Sequence, residues 1–225
     1  MPNGKGPRAA QIAARLTEAI HEHRITPGMK LSEDEVGEIF GVSRTVVRTA
    51  LQVLSHEHLV TIAPHRGAFV AKPTPREARE VFEARALIEP RTAHSAAGRM
   101  TEDRLKLLQT HIADEHTALA EGDIGRALKL SGQFHIEIAH IADQAIIADL
   151  LRQLISRSSL IIAVYWRRRS AVCESHAHDA LVGALAKGDG VLAEEVMKGH
   201  LVDLLSLLDL QEPQTSATSL REALS

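Results

Sequence analysis

FGVSRTVVRTALQVL, Phe40 to Leu54, sets two arginines and two threonines around the start of a helix whose opposite side is aliphatic. Ser43 is placed to N-cap that helix, because a serine oxygen accepts from backbone N–H groups left free in the first turn. Val47, Ala50, Leu51 and Leu54 then form the stripe that faces a core. Arg44, Thr45 and Arg48 occupy the first turns on the other side. Basic side chains at this end oppose the helix dipole, a small cost that an external phosphate removes. The N-terminal turns of such a helix are the part that enters a DNA major groove. There an arginine bonds two guanine acceptors at once, and a threonine methyl touches thymine. The plainer alternative is a small helical domain with solvated arginines.

The flanking sequence completes a motif. Residues 8–23 read as a helix, with Ile12, Leu16, Ala19 and Ile20 on one stripe. Thr26-Pro-Gly28 is a turn, and Ser32-Glu-Asp-Glu35 is a capping-box pattern that predicts a short helix through about Phe40. Gly41 ends it, so two helices meet across a tight turn, the helix-turn-helix arrangement. After Glu57 come two β-type runs, Val60 to Ala63 and Ala68 to Ala71, with His65-Arg-Gly67 between them. They predict a hairpin, or wing, whose Arg66 beside Gly67 can reach a neighbouring groove or the backbone. The net charge of -3 argues against a nucleic-acid binder, but the segment from Phe40 to Lys72 holds four basic residues and one acid, Glu57. Positive charge confined to one part of an acidic chain is the expected pattern for a DNA-contact face.

Lys72-Pro-Thr-Pro75 is the strongest boundary, and Thr74-Pro-Arg-Glu77 restarts a helix with a cap, a proline at its first position and a glutamate three residues on. Everything beyond reads as helix, over about 75–99, 101–121, 123–141, 143–168, 171–187 and 189–210. The organisation expected is a unit at 1–72, a linker at 73–77, a helical unit at 78–212 and a polar tail at 213–225. Aromatic residues are 3% of the chain, so its core must be Leu, Ile, Val and Ala, a composition that favours helix. The single cysteine, Cys173, excludes an internal disulfide, fits a reducing compartment and reads as packing. Tyr165 and Trp166 read as helix packing and Arg167 to Arg169 as a solvated charge run. The start carries no signal-peptide pattern and no run is long enough to cross a bilayer, so a cytoplasmic protein without membrane contact is expected.

The helical unit places histidines on apolar stripes. Lys187-Gly-Asp-Gly190 joins two helices, with His178 eleven residues before Asp189 and His200 eleven after it. At the helical rise both sit roughly 15 Å from the turn, at one level. His135 lies on a third stripe with Ile124, Leu128, Ser131 and Ile138. Three inward histidines can bind a divalent metal through neutral imidazole, or they can be hydrogen-bonded core residues. Arg85, at helical spacing from Val81, Phe82 and Ile88, can offer a two-pronged bond to a carboxylate, or pair with Glu89 one turn on.

The run from Pro27 to Ala71 resembles the winged helix-turn-helix of GntR-family transcription regulators. The matching residues are Pro27-Gly28, Leu31, Glu35, Gly41-Val42-Ser43-Arg44-Thr45, Val47-Arg48, Ala50-Leu51, Leu54, Leu59-Val60, Arg66-Gly67 and Phe69-Val70. The resemblance implies DNA contacts at Arg44, Thr45, Arg48 and the wing, with Ser43, His65 and Gly67 shaping those surfaces. Asp34 stands where many relatives carry a neutral or basic residue. Glu83-Ala-Arg85-Ala-Leu-Ile-Glu89, Phe134-His135 and the spaced His178 and His200 are similar to the FCD ligand-binding domain of the FadR subgroup. That implies a mainly α protein, an all-helical bundle of six or seven helices behind the winged head. Its cavity would hold an ion such as zinc or nickel on His135, His178 and His200 and capture a small carboxylate, with Arg85 and Ser131 as effector contacts. The usual fourth ligand, an aspartate, is Ser131 here, which removes one negative charge and a hard oxygen.

Three functions compete on these features. One is a homodimeric repressor that leaves operator DNA when the effector binds. Another is a metal sensor of the same fold. The last is a metal-dependent hydrolase, against which no carboxylate stands at a spacing that offers a general base beside all three histidines, and which leaves the first 72 residues unexplained.

Overall fold

The apolar stripe of Ile12, Leu16 and Ile20 folds α1 (Lys5–His21) against α3 (Arg44–His56), where Val47, Leu51 and Leu54 are fully buried. The structure, a computed structural model, describes residues 5–166 and 172–211, with side chains over 8–166 and 177–211. Arg167 to Arg169 and the polar tail beyond Gln211 lie outside those residues, and Cys173 lies outside those with described side chains. α2 (Glu33–Phe40) ends at Gly41 and leads through a short turn into α3. Ser32 and Ser43 hold the predicted N-cap positions with extended backbone, but neither side chain makes a cap hydrogen bond. At α2 the acids Glu33, Asp34 and Glu35 in the first turn meet the helix dipole instead.

The wing is a three-stranded antiparallel sheet in the order β1 (Lys30–Leu31), β3 (Gly67–Val70), β2 (Val60–Ala63). Val60 pairs with Val70 and Ala63 with Gly67, while Leu31 pairs with Ala68. β1 is too short to show an alternation of apolar and polar residues, so the sequence signals only the hairpin.

Behind the wing the described residues form a bundle of six helices: α4 (Pro75–Ala97), α5 (Glu102–Ala120), α6 (Ile124–Ile141), α7 (Ala145–Tyr165), α8 (Val172–Ala186) and α9 (Gly190–Ser206). α4 opens on a complete capping box. Thr74 Oγ1 accepts from the Glu77 N–H at 3.2 Å, and the Thr74 N–H donates to Glu77 Oε2 at 2.7 Å. α4 runs through Pro90, which has no N–H to offer the preceding turn. α4 lies along α9 and α8 packs on α5, closing the bundle around Phe82, Phe134, Leu108, Ile138, Leu185 and Met197.

Head and bundle share a packed seam. The end of α1 docks on α6 and α7. Lys129 of α6 donates to Glu18 at 2.7 Å and to Glu22 at 3.0 Å, and His23 Nε2 lies 3.1 Å from the Ser159 carbonyl oxygen. A β-carbon at Gly125 would run into the Glu22 backbone, so the helix surface there must be bare for α1 to seat. Leu160 of α7 is buried within the apolar core of the head.

Candidate functional site

Arg44, Thr45 and Arg48 project from the exposed side of α3, one turn inside the motif, while Val46 and Val47 turn inward. Each arginine has an acid of α2 for a neighbour. Arg44 Nε pairs with Asp34, and Arg48 makes a two-pronged bond to Glu33, at 3.0 Å through Nε and 2.8 Å through Nη2. Those bonds hold the Glu33 carboxyl below its ordinary range. Exposed pairs of this kind contribute about 1 kcal/mol or less, so a phosphate can take over either guanidinium at little cost. The acids of α2 thus neutralise the basic start of α3 from within the chain.

The wing tip carries the other three predicted residues. His65 sits at a positive φ of 59°, and Gly67 opens β3 at a φ of 97°, a conformation glycine adopts without a side-chain clash. Between them Arg66 is exposed, its guanidinium 5.7 Å from the centre of the Phe69 ring. That contact directs the arginine along the outer side of the hairpin.

His135 of α6, His178 of α8 and His200 of α9 meet inside the bundle, as their placement on three apolar stripes predicts. Their ring centres lie 4.8 to 5.3 Å apart, and all three residues are buried. One ring nitrogen from each lies within 4.8 Å of the others. Nε2 of His178 and Nε2 of His200 are buried without a hydrogen-bond partner. Burial lowers the His135 pKa and pushes His200 well below its ordinary value, favouring neutral imidazole, the form that ligates a cation. Two orphaned nitrogens in a buried cluster of three histidines are costly when left without a partner, so this set fits a divalent ion.

Two carboxyls stand behind the histidines. Glu115 of α5 meets His178 Nδ1 at 2.9 Å. Glu89 of α4 lies 2.6 Å from His135 Nδ1, a close polar contact without the alignment of a hydrogen bond. Burial opposes charge on Glu89, yet Arg85 and His135 together hold its carboxyl below the ordinary range. Carboxyls in this position fix ring orientation and raise ligand basicity. They also restore negative charge near a site where Ser131 supplies none. Glu115 was not among the predicted residues, although its position is readable: it continues the buried stripe of Leu108, Ile112 and Ala118.

Arg85 satisfies the plainer of its two predicted roles. Its Nε donates to Glu89 at 2.5 Å and Nη1 to Ser158 Oγ at 3.2 Å. It nevertheless lines a cavity of about 100 Å³ that also touches His135 and Ser131. Lys129 and Arg152 line the same space, four serines contribute hydroxyls, and none of the described lining residues is acidic. His21, from the head, forms part of the wall. Burial, then the neighbouring Lys129, pushes its pKa down to about 4. The chemistry of this lining suits a small anion.

The comparisons with known proteins agree with this arrangement. The family model for the FCD domain matches residues 80–203, and that for bacterial regulatory proteins of the gntR family matches residues 8–70. The chain belongs to the GntR family of transcriptional regulators, in the group whose second domain is FCD. It is 29% identical over 205 residues to the HTH-type transcriptional repressor RspR of Escherichia coli K12, covering 90% of this chain and 89% of that one. It is 26% identical over 211 residues to the HTH-type transcriptional regulator LutR of Bacillus subtilis 168, covering 84% of this chain and 95% of LutR. Among solved structures, a GntR regulator from Rhodococcus sp. RHA1 superposes with a TM-score of 0.80 at 26% identity, covering 89% of this chain and 96% of the other. GntR regulators bind operator DNA and FCD domains bind small-molecule effectors, often with an associated metal. Family and relatives are regulators rather than enzymes, which removes the hydrolase reading. None of the described helices is long and apolar enough to cross a membrane.

Proposed function

We propose that this protein is a homodimeric, cytoplasmic repressor whose hold on operator DNA is released by a small carboxylate bound beside a metal ion in the bundle. The observation that carries the reading is the cavity: Arg85, Lys129 and Arg152 line it, no described acid does, and it abuts His135. Residues 1–72 would be the DNA-binding unit and 78–212 the effector unit. Arg44, Thr45 and Arg48 would read the major groove from the α3 start opened by Ser43, with His65, Arg66 and Gly67 on the adjoining backbone or groove. His135, His178 and His200 would hold zinc or nickel, which when bound supplies positive charge that attracts a carboxylate. Arg85 and Ser131 would complete the effector contacts. Release follows if the occupied cavity favours an arrangement of the two heads that no longer matches the half-site spacing. A few kcal/mol of differential binding suffices.

A second reading, in which the ion itself is the signal, is favoured by the buried and unpartnered Nε2 atoms of His178 and His200. Gel shifts with DNA from upstream of the chain's own coding region test both. A retarded band lost in Arg44→Ala, and released by an organic acid with metal present throughout, is the expected result. Release by zinc or nickel alone would select the sensor. Absence of preference for any duplex over competitor DNA at moderate salt would overturn the regulator's proposed mode of action. Stoichiometric metal in the purified protein should fall in His135→Ala, His178→Ala and His200→Ala alike.

A further inference from the structure

His21 is the last residue of α1, an element of the head, yet it forms part of the wall of the bundle cavity. Its Nε2 is buried and has no hydrogen-bond partner. A buried polar atom in that condition costs free energy unless something arrives to meet it. Lys129, on the facing helix, also lines the cavity, and its ammonium is bonded to Glu18 and Glu22 of α1. An ammonium has three donors, so those two bonds leave one for an occupant of the cavity. Directly below this seam Gly125 leaves bare the surface on which the Glu22 backbone rests. Gly125 does not line the cavity.

We propose that His21 is a ligand-contacting residue, so that a small anion in the cavity is held jointly by the head, through His21, and by the bundle, through Lys129. The proposal rests on the reading that this cavity takes an anion. The anion takes the donor that the bonds to Glu18 and Glu22 leave over, so filling the cavity adds a bridge between bundle and head and docks α1 more firmly. Because one ligand touches both sides of the seam, its affinity depends on the seat of α1, and by reciprocity the seat of α1 depends on the ligand. The effector then acts on the head directly, without a relay through the bundle core.

The test uses the full chain loaded with metal and three probes: acetate, succinate and inorganic phosphate. Calorimetry measures binding to the wild type, His21→Ala, His21→Gln and Gly125→Ala, and amide exchange follows residues 18–25 in the same samples. Helical content and unfolding temperature establish that each variant folds. The expected result is that at least one anion binds the wild type and slows exchange over 18–25. His21→Ala and Gly125→Ala should bind it at least about tenfold more weakly, an amount that corresponds to about 1.4 kcal/mol, and His21→Gln, which keeps a donor, should recover part of the loss. The loss at Gly125→Ala is diagnostic because that residue is off the cavity wall and acts only by lifting α1. If the wild type binds none of the three anions, the anion reading itself fails and takes this proposal with it. If the wild type binds and either His21→Ala or Gly125→Ala binds equally well, the anion reading stands and the joint site is overturned.

Discussion

At the scale of single residues, the acids of α2 that pair with Arg44 and Arg48 would set the balance at the proposed DNA face. Asp34 pairs with Arg44, so free protein and bound phosphate compete for one guanidinium. Asp34→Asn should therefore raise affinity for duplex DNA by about fivefold, the equivalent of roughly one exposed ion pair. It should also steepen the dependence of binding on salt by about one released counterion. Titrations at several ionic strengths would show it, and unchanged affinity and slope would mean that Asp34 does not compete. Inside the bundle the demands are stricter. Glu89 is buried between Arg85 and His135. Glu89→Gln should cost about 3 kcal/mol or more in denaturant unfolding, because it leaves a buried guanidinium facing an uncharged amide. If His135 ligates a metal as proposed, Glu89→Gln should also weaken that binding by about tenfold or more, by removing charge from behind the ligand.

At the scale of elements, several helices were readable because their boundaries have a local chemical cause. Thr74, Pro75 and Glu77 together specify where α4 starts, and the structure contains both bonds of the box. Thr74→Ala should lower stability by about 1 kcal/mol in chemical denaturation, with the metal content unchanged. Gly122-Asp123 and Lys187-Gly-Asp-Gly190 likewise end one helix and cap the next, with the Asp123 and Asp189 side chains accepting from Arg126 and Leu192 N–H groups. Ser32 and Ser43 were legible in position but not in bonding; at α2 the acids of the first turn meet the helix end instead, while α3 has no acid in its first turn. β1 was not legible at all, since two residues carry no period. The histidine cluster could be predicted from three stripes and one turn. Glu115 could have been, as an acid on an apolar stripe. The arginine and acid pairs between α2 and α3 could not, because they depend on how two helices cross rather than on spacing within either.

At the scale of the whole molecule, the head and the bundle are distinct in sequence but not independent in packing. Lys129 spans the seam by two ion pairs, Gly125 makes room for Glu22, and Leu160 contributes to the core of the head. None of this was readable beforehand, because each contact joins residues far apart in the chain. The expected consequence is a single cooperative transition for both units in calorimetry of the metal-loaded protein, with the calorimetric enthalpy equal to the van't Hoff enthalpy. Two resolved transitions would show that the seam is weak. Leu160 bears on a practical matter as well. Severing the chain near Pro73 to obtain the winged unit by itself would strip its interior of an aliphatic plug supplied from the far half. The liberated fragment should then be less soluble and more prone to self-association than its charged exterior suggests.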